Sequence, residues 1–514
     1  MKSIGRIDKT ELRDLVYRGM YEAAMDPAMR FGDLALALRG SHYKLSPDIE
    51  CDLGDELSEL GKSCKLKFYG NEYFVFDGLI WVPVNLEVIC DAFRFFMSRM
   101  GLKLTEGKRK GLLNGDFLPS VRINSRLCPR LDIVAFKNGV LDLSDYSFHE
   151  PSPDFHVIYQ HPYKYDAKAK CQKWNHFLKE VLPDKSSRVI LQMFLGLGLI
   201  ERGTIYNQFE HGEQSKVELC LILLGSGANG KSVIYQTAMG LFGAERISGV
   251  DYDELTSSGD EGMRSRRMLR DAIFNWSSDS DANTFGRKRT GVFKRIVSGE
   301  PVLDRGIGEN VQQNYKLPYL IFNLNELPYP NDTSLGFIRR LQFVAFDVTI
   351  PPNKQNKHLA QDLVPEYPGI FNWLIRGARE LKRRKYIFPS SEGSRRQMLL
   401  AQLKMNPTIA WCTAYGARAR PQANQELSAK MKSTDIMESL TRFCDDNDVE
   451  CPSAKSVGHI LLAKGFAKKN KSWGKEYEMY GVDANSIMRP FVIRNENFDL
   501  GYKRDMESFI DEED

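Results

Sequence analysis

One short stretch of the chain has the residue types and the spacing that bind phosphate. Residues 225–232 read Gly-Ser-Gly-Ala-Asn-Gly-Lys-Ser and fit the pattern G-x-x-x-x-G-K-[ST] without a mismatch. Lys231 of this phosphate loop can reach the β- and γ-phosphates of a nucleotide, and the Ser232 hydroxyl can hold Mg²⁺. We therefore predict a site for ATP and Mg²⁺. The predicted cofactor-binding residues are Gly225, Ser226, Gly227, Ala228, Asn229, Gly230, Lys231, Ser232 and Val233.

The sequence on both sides of the phosphate loop predicts a strand before it and a helix after it. Residues 219–224 form an apolar run, and residues 233–242 have helical spacing that ends at Gly243. In that setting backbone N–H groups curl around phosphate oxygens, and the helix N-terminus adds the positive end of its dipole. The alternative is a glycine turn without a ligand, but the context favours the nucleotide.

A second polar group is expected at the end of a neighbouring strand, where an acid must hold Mg²⁺ and polarise water. Residues 272–276 predict such a strand, and Asp279 and Asp281 follow it. Asp279 is the first choice for the catalytic acid and metal ligand, and Asp281 is the second. A solvated acidic loop is the alternative.

Residues 318–324 predict a third strand, which ends in the polar residue Asn325. An amide at a strand tip can hold the attacking water or the γ-phosphate. The alternative is a turn-forming asparagine ahead of a proline-bearing loop.

Two groups of cations lie around this strand. Arg339 and Arg340 stand immediately before another apolar strand, where an arginine can reach a neighbouring subunit's site or can form only a surface ion pair. A basic segment lies between the acid and the amide, and it can contact a nucleic-acid backbone or can be only a solvated face. The candidate DNA-binding residues are Arg287, Lys288, Arg289 and Arg305.

The whole-chain composition is that of an ordinary soluble protein. The 514 residues carry a net charge of +4, which is too small to prove a nucleic-acid partner. Nine scattered cysteines without a C-x-x-C pair indicate reduced thiols rather than a disulfide framework or a zinc site. No signal peptide and no membrane-length apolar run stand out, so we expect a cytoplasmic protein without a membrane partner.

The order of these segments discriminates between families. The phosphate loop, the acid, the basic segment, Asn325 and the arginine pair all fall between residues 225 and 340. This order resembles the superfamily three helicases of viruses, phages and plasmids, and looks most like the poxvirus and satellite-phage primase–helicase group. Residues 134–143, 163–166 and 195–196, with His149 and Trp174, resemble the segment that precedes the motor in that group. The resemblance covers roughly residues 130–385.

The resemblance implies an α/β fold with an AAA+-like motor, a mixed α+β N-terminal region and a helical, winged-helix C-terminal domain. The implied domains are residues 1–125 (N-terminal α+β region), 126–205 (helicase-associated domain), 206–388 (ATPase) and 389–514 (winged-helix-like domain with an acidic tail). It also implies a homo-oligomer, usually a hexameric ring, which acts on single-stranded or forked DNA with other replication proteins.

By its motifs the resemblance assigns a role to each candidate residue. Lys231 and Ser232 would bind phosphate and Mg²⁺, Asp279 would be the acid and Asn325 the polar sensor. Arg339 or Arg340 would be the finger that reaches the adjacent subunit. Arg305 and the turn after it would lie in the ring's central channel.

Two departures from the family pattern bear on these expectations. Family members commonly have Glu in the acidic motif, whereas this chain has Ser-Ser-Asp-Ser-Asp at residues 277–281, so the identity of the acid stays open. Only about 125 residues precede the resembling segment, which is short for a polymerase domain. We therefore expect a DNA helicase without primase activity in this chain.

Three other functions remain open. The first is an origin-binding initiator ATPase that remodels DNA, the second is a phosphate-loop NTPase unrelated to DNA, and the third is a structural ring that binds nucleotide without turnover. Five C-terminal lysines near Trp473 give a possible DNA face for the first of these; they are Lys464, Lys468, Lys469, Lys471 and Lys475.

Overall fold

Contacts along the chain divide it into two units, residues 1–167 and 168–514. The computed structural model describes residues 9–26, 47–69, 72–102, 104–123, 133–200, 202, 217–282, 285, 289–326, 335–389, 391–421 and 427–493. Within those ranges no helix is both long and apolar enough to cross a membrane. Arg287, Lys288 and the acidic tail lie outside the described residues. The four domain boundaries that the sequence implies remain predictions.

The first unit combines helices with two small sheets. Its helices are α1 (Lys9–Ala24), α2 (Pro47–Ser63), α3 (Leu86–Arg99), α4 (Glu106–Leu112) and α5 (Leu118–Ser120), with a π-helical turn at Leu113–Phe117. Its strands are β1 (Leu66–Tyr69), β2 (Glu72–Phe76), β3 (Trp81–Val84), β4 (Ile133–Phe136), β5 (Gly139–Asp142), β6 (Phe148–His149) and β7 (Gln160–His161).

The first sheet has the order β1-β2-β3, and the second has the order β6-β5-β4-β7. An Asn-Gly step such as Asn138-Gly139 is typical of a tight turn, and the turn is present, because β4 and β5 pair antiparallel with Phe136 opposite Gly139. The helices and β1–β3 share an apolar core around Val75, Phe93 and Phe117. This unit is therefore stabilised by its own buried side chains.

The second unit holds the phosphate loop. Its helices are α6 (Gln172–Val181), α7 (Lys185–Gly196), α8 (Lys231–Phe242), α9 (Tyr252–Thr256), α10 (Gly259–Arg267), α11 (Thr290–Val297), α12 (Leu335–Ile338), α13 (Leu359–Asp362), α14 (Tyr367–Arg383), α15 (Glu392–Met405), α16 (Pro407–Ala414), α17 (Ser433–Asp446), α18 (Ala454–Ala463) and α19 (Ala484–Ile487). Its strands are β8 (Cys220–Leu224), β9 (Ile247–Ser248), β10 (Phe274–Ser280), β11 (Val302–Asp304), β12 (Gln312–Asn314), β13 (Tyr319–Leu324), β14 (Leu341–Ala345), β15 (Ser428–Lys432), β16 (Ala467–Lys471) and β17 (Gly474–Tyr480).

Five parallel strands form the central sheet of this unit, in the order β14-β8-β13-β10-β9. All residues of β8 and β13 are buried, as expected for a parallel sheet covered on both faces. The mixed α/β class with a parallel sheet is thereby confirmed. Because the carboxyl ends of parallel strands meet at one edge, the residues after β8, β10 and β13 lie along the same edge.

Two local features go beyond what the sequence predicts. Residues 166–198 have the apolar spacing of helical structure, and the structure divides this segment into α6 and α7. The helical structure is interrupted at Pro183, which has no backbone N–H to donate. The Asp184 side chain then caps α7 by accepting hydrogen bonds from the backbone N–H groups of Ser186 (3.1 Å) and Ser187 (2.9 Å). The acid strand also runs further than predicted. β10 ends at Ser280, because pairing with β13 resumes after an irregularity between Ser277 and Ser280, so Asp279 belongs to the strand.

The C-terminal part of the second unit has its own sheet and core. Strands β15, β17 and β16 pair antiparallel in that order, and α16–α18 pack on them around Trp411, Leu440 and Phe443. The Trp411 indole N–H donates to the Ser439 hydroxyl (2.9 Å), which donates to the Ile487 carbonyl (2.6 Å). The winged-helix assignment for this part remains a prediction.

Candidate nucleotide-binding site

The phosphate loop joins the end of β8 to the start of α8. Gly227 (φ +105°) and Gly230 (φ +86°) adopt left-handed backbone conformations that favour glycine. A β-carbon at Gly230 would also lie 2.9 Å from the Phe177 ring. The loop is tied to its surroundings by the Gly225 N–H, which donates to the Leu324 carbonyl (3.0 Å). The strand–loop–helix arrangement expected from the sequence is therefore present, with α8 starting two residues earlier than predicted.

Lys231 is nearly buried, with 6 % of its surface exposed. Its ammonium donates a hydrogen bond to the Gly225 carbonyl. Burial lowers the pKa of Lys231, while the nearby charge of Asp279 acts in the opposite direction. The charge of Asp279 offsets only part of the cost of burying the Lys231 ammonium. An added anion would stabilise this buried cation further, so the position suits a phosphate group.

A cavity of about 1090 Å³ opens beside the loop. Its lining includes predicted site residues from the carboxyl ends of three strands, β8, β10 and β13. The predicted residues that line it are Gly227, Ala228, Asn229, Gly230, Lys231, Ser232, Val233, Asp279 and Asn325. The lining does not include the other described candidates, which are Gly225, Ser226, Asp281, Arg289, Arg305, Arg339 and Arg340.

The two candidate acids are placed differently. Both are exposed, but Asp279 lines the cavity and Asp281 does not. Asp279 lies near the end of β10, whose Ser280 pairs with Leu324 of β13, and Asn325 comes directly after that leucine. This parallel pairing explains how two residues far apart in the sequence come to line one cavity.

One residue that sequence reasoning missed is Asn323, a buried amide within β13. Its Oδ1 accepts from the Trp276 indole N–H (3.0 Å), and its Nδ2 donates to the Ser278 carbonyl (3.1 Å). Asn323 thereby fastens the end of β10 to β13, next to Asp279 and Asn325. A polar residue inside an otherwise apolar strand was the signal that could have identified it.

The cavity also has walls that the motifs did not predict. One wall comes from α6, which contributes five residues, and another comes from residues 350–362. The Ile350 N–H donates to the Ala228 carbonyl (2.8 Å), so this second segment is bonded to the phosphate loop itself. Neither wall follows a local sequence pattern, because each depends on contacts between distant parts of the chain.

The adjacent arginines are in opposite environments. The Arg340 guanidinium is mostly buried and donates to Ser298 Oγ (2.7 Å) and to the Gly336 carbonyl. Arg339 is largely exposed, with 66 % of its side chain accessible and Glu218 at 3.7 Å. Arg340 is therefore held by contacts within its own chain, and Arg339 is directed to solvent.

The two candidate DNA residues that the structure describes, Arg289 and Arg305, lie outside the cavity lining on the same unit. Arg289 is exposed at the start of α11. Arg305 follows β11 in a hairpin, where it contacts the Asp260 carboxylate (3.2 Å) and donates to the Glu309 carbonyl (3.0 Å). The tip of this hairpin presents Ile307, which is 89 % exposed.

The oxygen atoms of the cavity fit a Mg²⁺ ion. Mg²⁺ prefers hard oxygen ligands and usually takes one or two carboxylates together with phosphate oxygens and water. The Ser232 hydroxyl and the Asp279 carboxylate line the same cavity. These are the groups that could hold the ion beside a bound triphosphate.

Together these features define a mixed α/β protein with a phosphate-loop-like turn at the edge of a parallel sheet. The family described as D5 N terminal like matches residues 124–183. That segment ends with α6, the helix that forms one wall of the cavity.

Two viral proteins named as helicases are similar to this chain. The one from Acanthamoeba polyphaga mimivirus is 27% identical over 227 residues, which is 42% of this chain and 22% of that protein. The one from Invertebrate iridescent virus 6 is 24% identical over 260 residues, which is 46% of this chain and 24% of that protein. The matches thus span about a quarter of each curated relative.

The solved apo structure of the NrS-1 C-terminal region is also similar. The likeness covers 82% of this chain and 94% of that one, with 10% identity and a TM-score of 0.40. A second apo structure of the same region gives a TM-score of 0.37. These scores are too low to establish a shared fold.

Proposed function

We propose that this protein is an ATP-dependent DNA helicase of viral, phage or plasmid replication. One observation carries the proposal: the phosphate loop, Ser232, Asp279 and Asn325 line a single cavity at the carboxyl edge of a parallel sheet. That is where phosphate-loop enzymes assemble their hydrolytic groups. The names of the two viral relatives and the D5 N-terminal-like segment support DNA unwinding as the use of that energy.

In the proposed site each side chain has one task. The Lys231 ammonium exchanges its contact with the Gly225 carbonyl for contacts to the β- and γ-phosphates. Mg²⁺, when held by Ser232 and Asp279, supplies positive charge to the phosphate oxygens. The Asp279 carboxylate orients the attacking water, and the Asn325 amide holds that water or the γ-phosphate. Hydrolysis then depends mainly on positioning and on charge stabilisation.

The remaining catalytic cation is proposed to come from a second subunit of a ring. Arg339 suits this role because its side chain projects to solvent and does not line its own cavity. The buried contacts of Arg340 suit it instead for holding the loop before β14. A finger supplied in trans makes hydrolysis depend on assembly, and it couples each site to its neighbour's motion.

The DNA contact is proposed to involve the β11–β12 hairpin. Its tip exposes Ile307, and Arg305 lies two residues earlier, where the loop leaves β11. A protruding tip of this kind, with a cation beside it, can move a nucleic-acid backbone as subunit interfaces open and close. Phosphate contacts of this type are independent of sequence and weaken steeply as salt rises.

DNA-stimulated ATP hydrolysis tests this proposal. We expect the parent chain to hydrolyse ATP faster with single-stranded DNA than without it. Lys231→Ala is expected to hydrolyse ATP under neither condition, because the loop then lacks its phosphate-binding cation. A parent rate that DNA leaves unchanged would favour an NTPase unrelated to DNA.

A second candidate function, an origin-binding initiator that remodels DNA, is favoured by a basic cavity of about 350 Å³ in the C-terminal part. It lies between α17, α18 and the β16–β17 hairpin. Its basic lining comprises Lys455, His459, Lys468 and Lys475, and no acidic side chain is among the described residues that line it. Filter binding with random duplexes and with duplexes from the source genome separates the two functions, since only the initiator would prefer particular genomic fragments.

A further inference from the structure

The cavity beside the phosphate loop is larger than phosphate groups require. Its volume of about 1090 Å³ lies just above the usual range, roughly 300–1,000 Å³, for pockets that bury whole small molecules. The loop, Asp279 and Asn325 supply only part of the lining, and the rest comes from α6 and from residues 350–362. The cavity thus has space and polar groups for more than a triphosphate.

One face of α6 presents three polar side chains to this cavity. Gln172, His176 and Glu180 all line it, and their spacing of four residues places them on the same face of the helix. All three are exposed. None of these three side chains makes a hydrogen bond or an ion pair with another residue in the described part of the chain. Their donors and acceptors are therefore free for a ligand.

The position of α6 relative to the phosphate loop is fixed by several contacts. The Glu366 carboxylate accepts from the backbone N–H groups of Lys173 (3.0 Å) and Trp174 (3.1 Å) at the start of the helix. Further along α6, Phe177 is buried and packs against Gly230 of the loop. The polar face is consequently held at a defined distance from the phosphate-binding groups.

The chemistry of this face suits a base better than a phosphate. The Glu180 carboxylate repels phosphate oxygens but accepts hydrogen bonds from an amino group. The Gln172 amide has both donors and an acceptor, and the His176 ring can donate, accept or stack. Adenine presents a ring-nitrogen acceptor next to an exocyclic amino donor, which complements such a set.

We propose that the α6 face binds the nucleobase of the nucleoside triphosphate, with a preference for a base that carries an exocyclic amino group. This inference rests on the proposed function, since it needs the triphosphate on the loop. It gives the last helix of the D5 N-terminal-like segment a direct role in choosing the nucleotide.

Calorimetric titration of the full chain with two ligands, ATP and inorganic tripolyphosphate, tests the inference. The variant combines Gln172→Ala, His176→Ala and Glu180→Ala. We expect its affinity for ATP to fall at least about tenfold, as the loss of several hydrogen bonds requires, while its affinity for tripolyphosphate is unchanged. The matched control is Lys179→Ala, an exposed α6 residue outside the cavity lining, which should keep both affinities.

Two other results would separate base binding at α6 from phosphate binding at the loop. If the triple variant keeps the parent's ratio of ATP affinity to tripolyphosphate affinity, α6 does not bind the base, and the proposed function is untouched. If the parent binds neither ligand, the proposed function fails and the inference fails with it. A Lys231→Ala chain that loses both ligands supports binding of the phosphates at the loop.

Discussion

At the scale of single residues, the charged groups of the site differ in their exposure to water. Lys231 is almost buried, and burial lowers its pKa, whereas Asp279 is exposed in the same cavity. A desolvated ammonium beside an accessible carboxylate is suited to a ligand that brings both anionic oxygens and a divalent cation. The exposed Asp281, only two residues further on, lies outside that arrangement.

This difference predicts the outcome of two matched substitutions. Asp279→Asn should lower kcat for ATP hydrolysis about a hundredfold or more, as the loss of a preorganised catalytic group does. Asp281→Asn changes the charge equally but should keep the parent rate. Steady-state hydrolysis assays of both variants check this. Equal losses in the two variants would contradict the choice of Asp279.

At the scale of elements, β10 and β13 must end together for the site to form. Asn323 secures this, because its amide bonds both the Trp276 indole and the Ser278 carbonyl. Its neighbour Asn325 is exposed beyond the strand end and lines the cavity. Two asparagines separated by one residue therefore have different tasks, one in strand pairing and one in the proposed chemistry.

The two asparagines give a second matched pair. Asn323→Ala should lower the free energy of unfolding by about 2–3 kcal/mol, because it removes one buried and one partly buried hydrogen bond and leaves the buried Trp276 indole N–H unpaired. Asn325→Ala should leave stability unchanged and slow ATP hydrolysis. Denaturant unfolding and hydrolysis rates measure the two effects. An Asn325→Ala chain that is destabilised and fully active would reverse this assignment.

The sequence predicted those elements whose signals are local. The phosphate loop between β8 and α8 follows from glycine spacing and an apolar run, and the β4–β5 turn follows from Asn138-Gly139. The length of β10 could not be predicted, since it depends on pairing with β13 more than 40 residues away. The α6 wall of the cavity was missed for the same reason, because it forms only when distant segments pack together.

At the scale of the whole molecule, the proposed ring explains why the exposed arginine is outside its own cavity. Arg339 projects to solvent while Arg340 is held by Ser298 and Gly336. If the site is shared between subunits, an interface is active when one subunit supplies Lys231 and its neighbour supplies Arg339. A head-to-tail interface that closes into a ring has this property.

Mixing two inactive chains tests that arrangement. Lys231→Ala and Arg339→Ala should each be inactive alone. Mixed in equal amounts, they should recover hydrolysis at roughly one quarter of the interfaces, where an intact lysine meets an intact arginine. Hydrolysis assays of the mixture measure the recovery. A mixture as inactive as its components would indicate that Arg339 does not act in trans.

We propose that ATP hydrolysis at the phosphate loop drives strand separation. Strand displacement on forked DNA measures this activity, with ATP in excess and Lys231→Ala as the control. We predict that the parent chain releases the displaced strand only when ATP and Mg²⁺ are present, and that Lys231→Ala releases none. A parent chain that hydrolyses ATP but leaves the fork intact would contradict the claim.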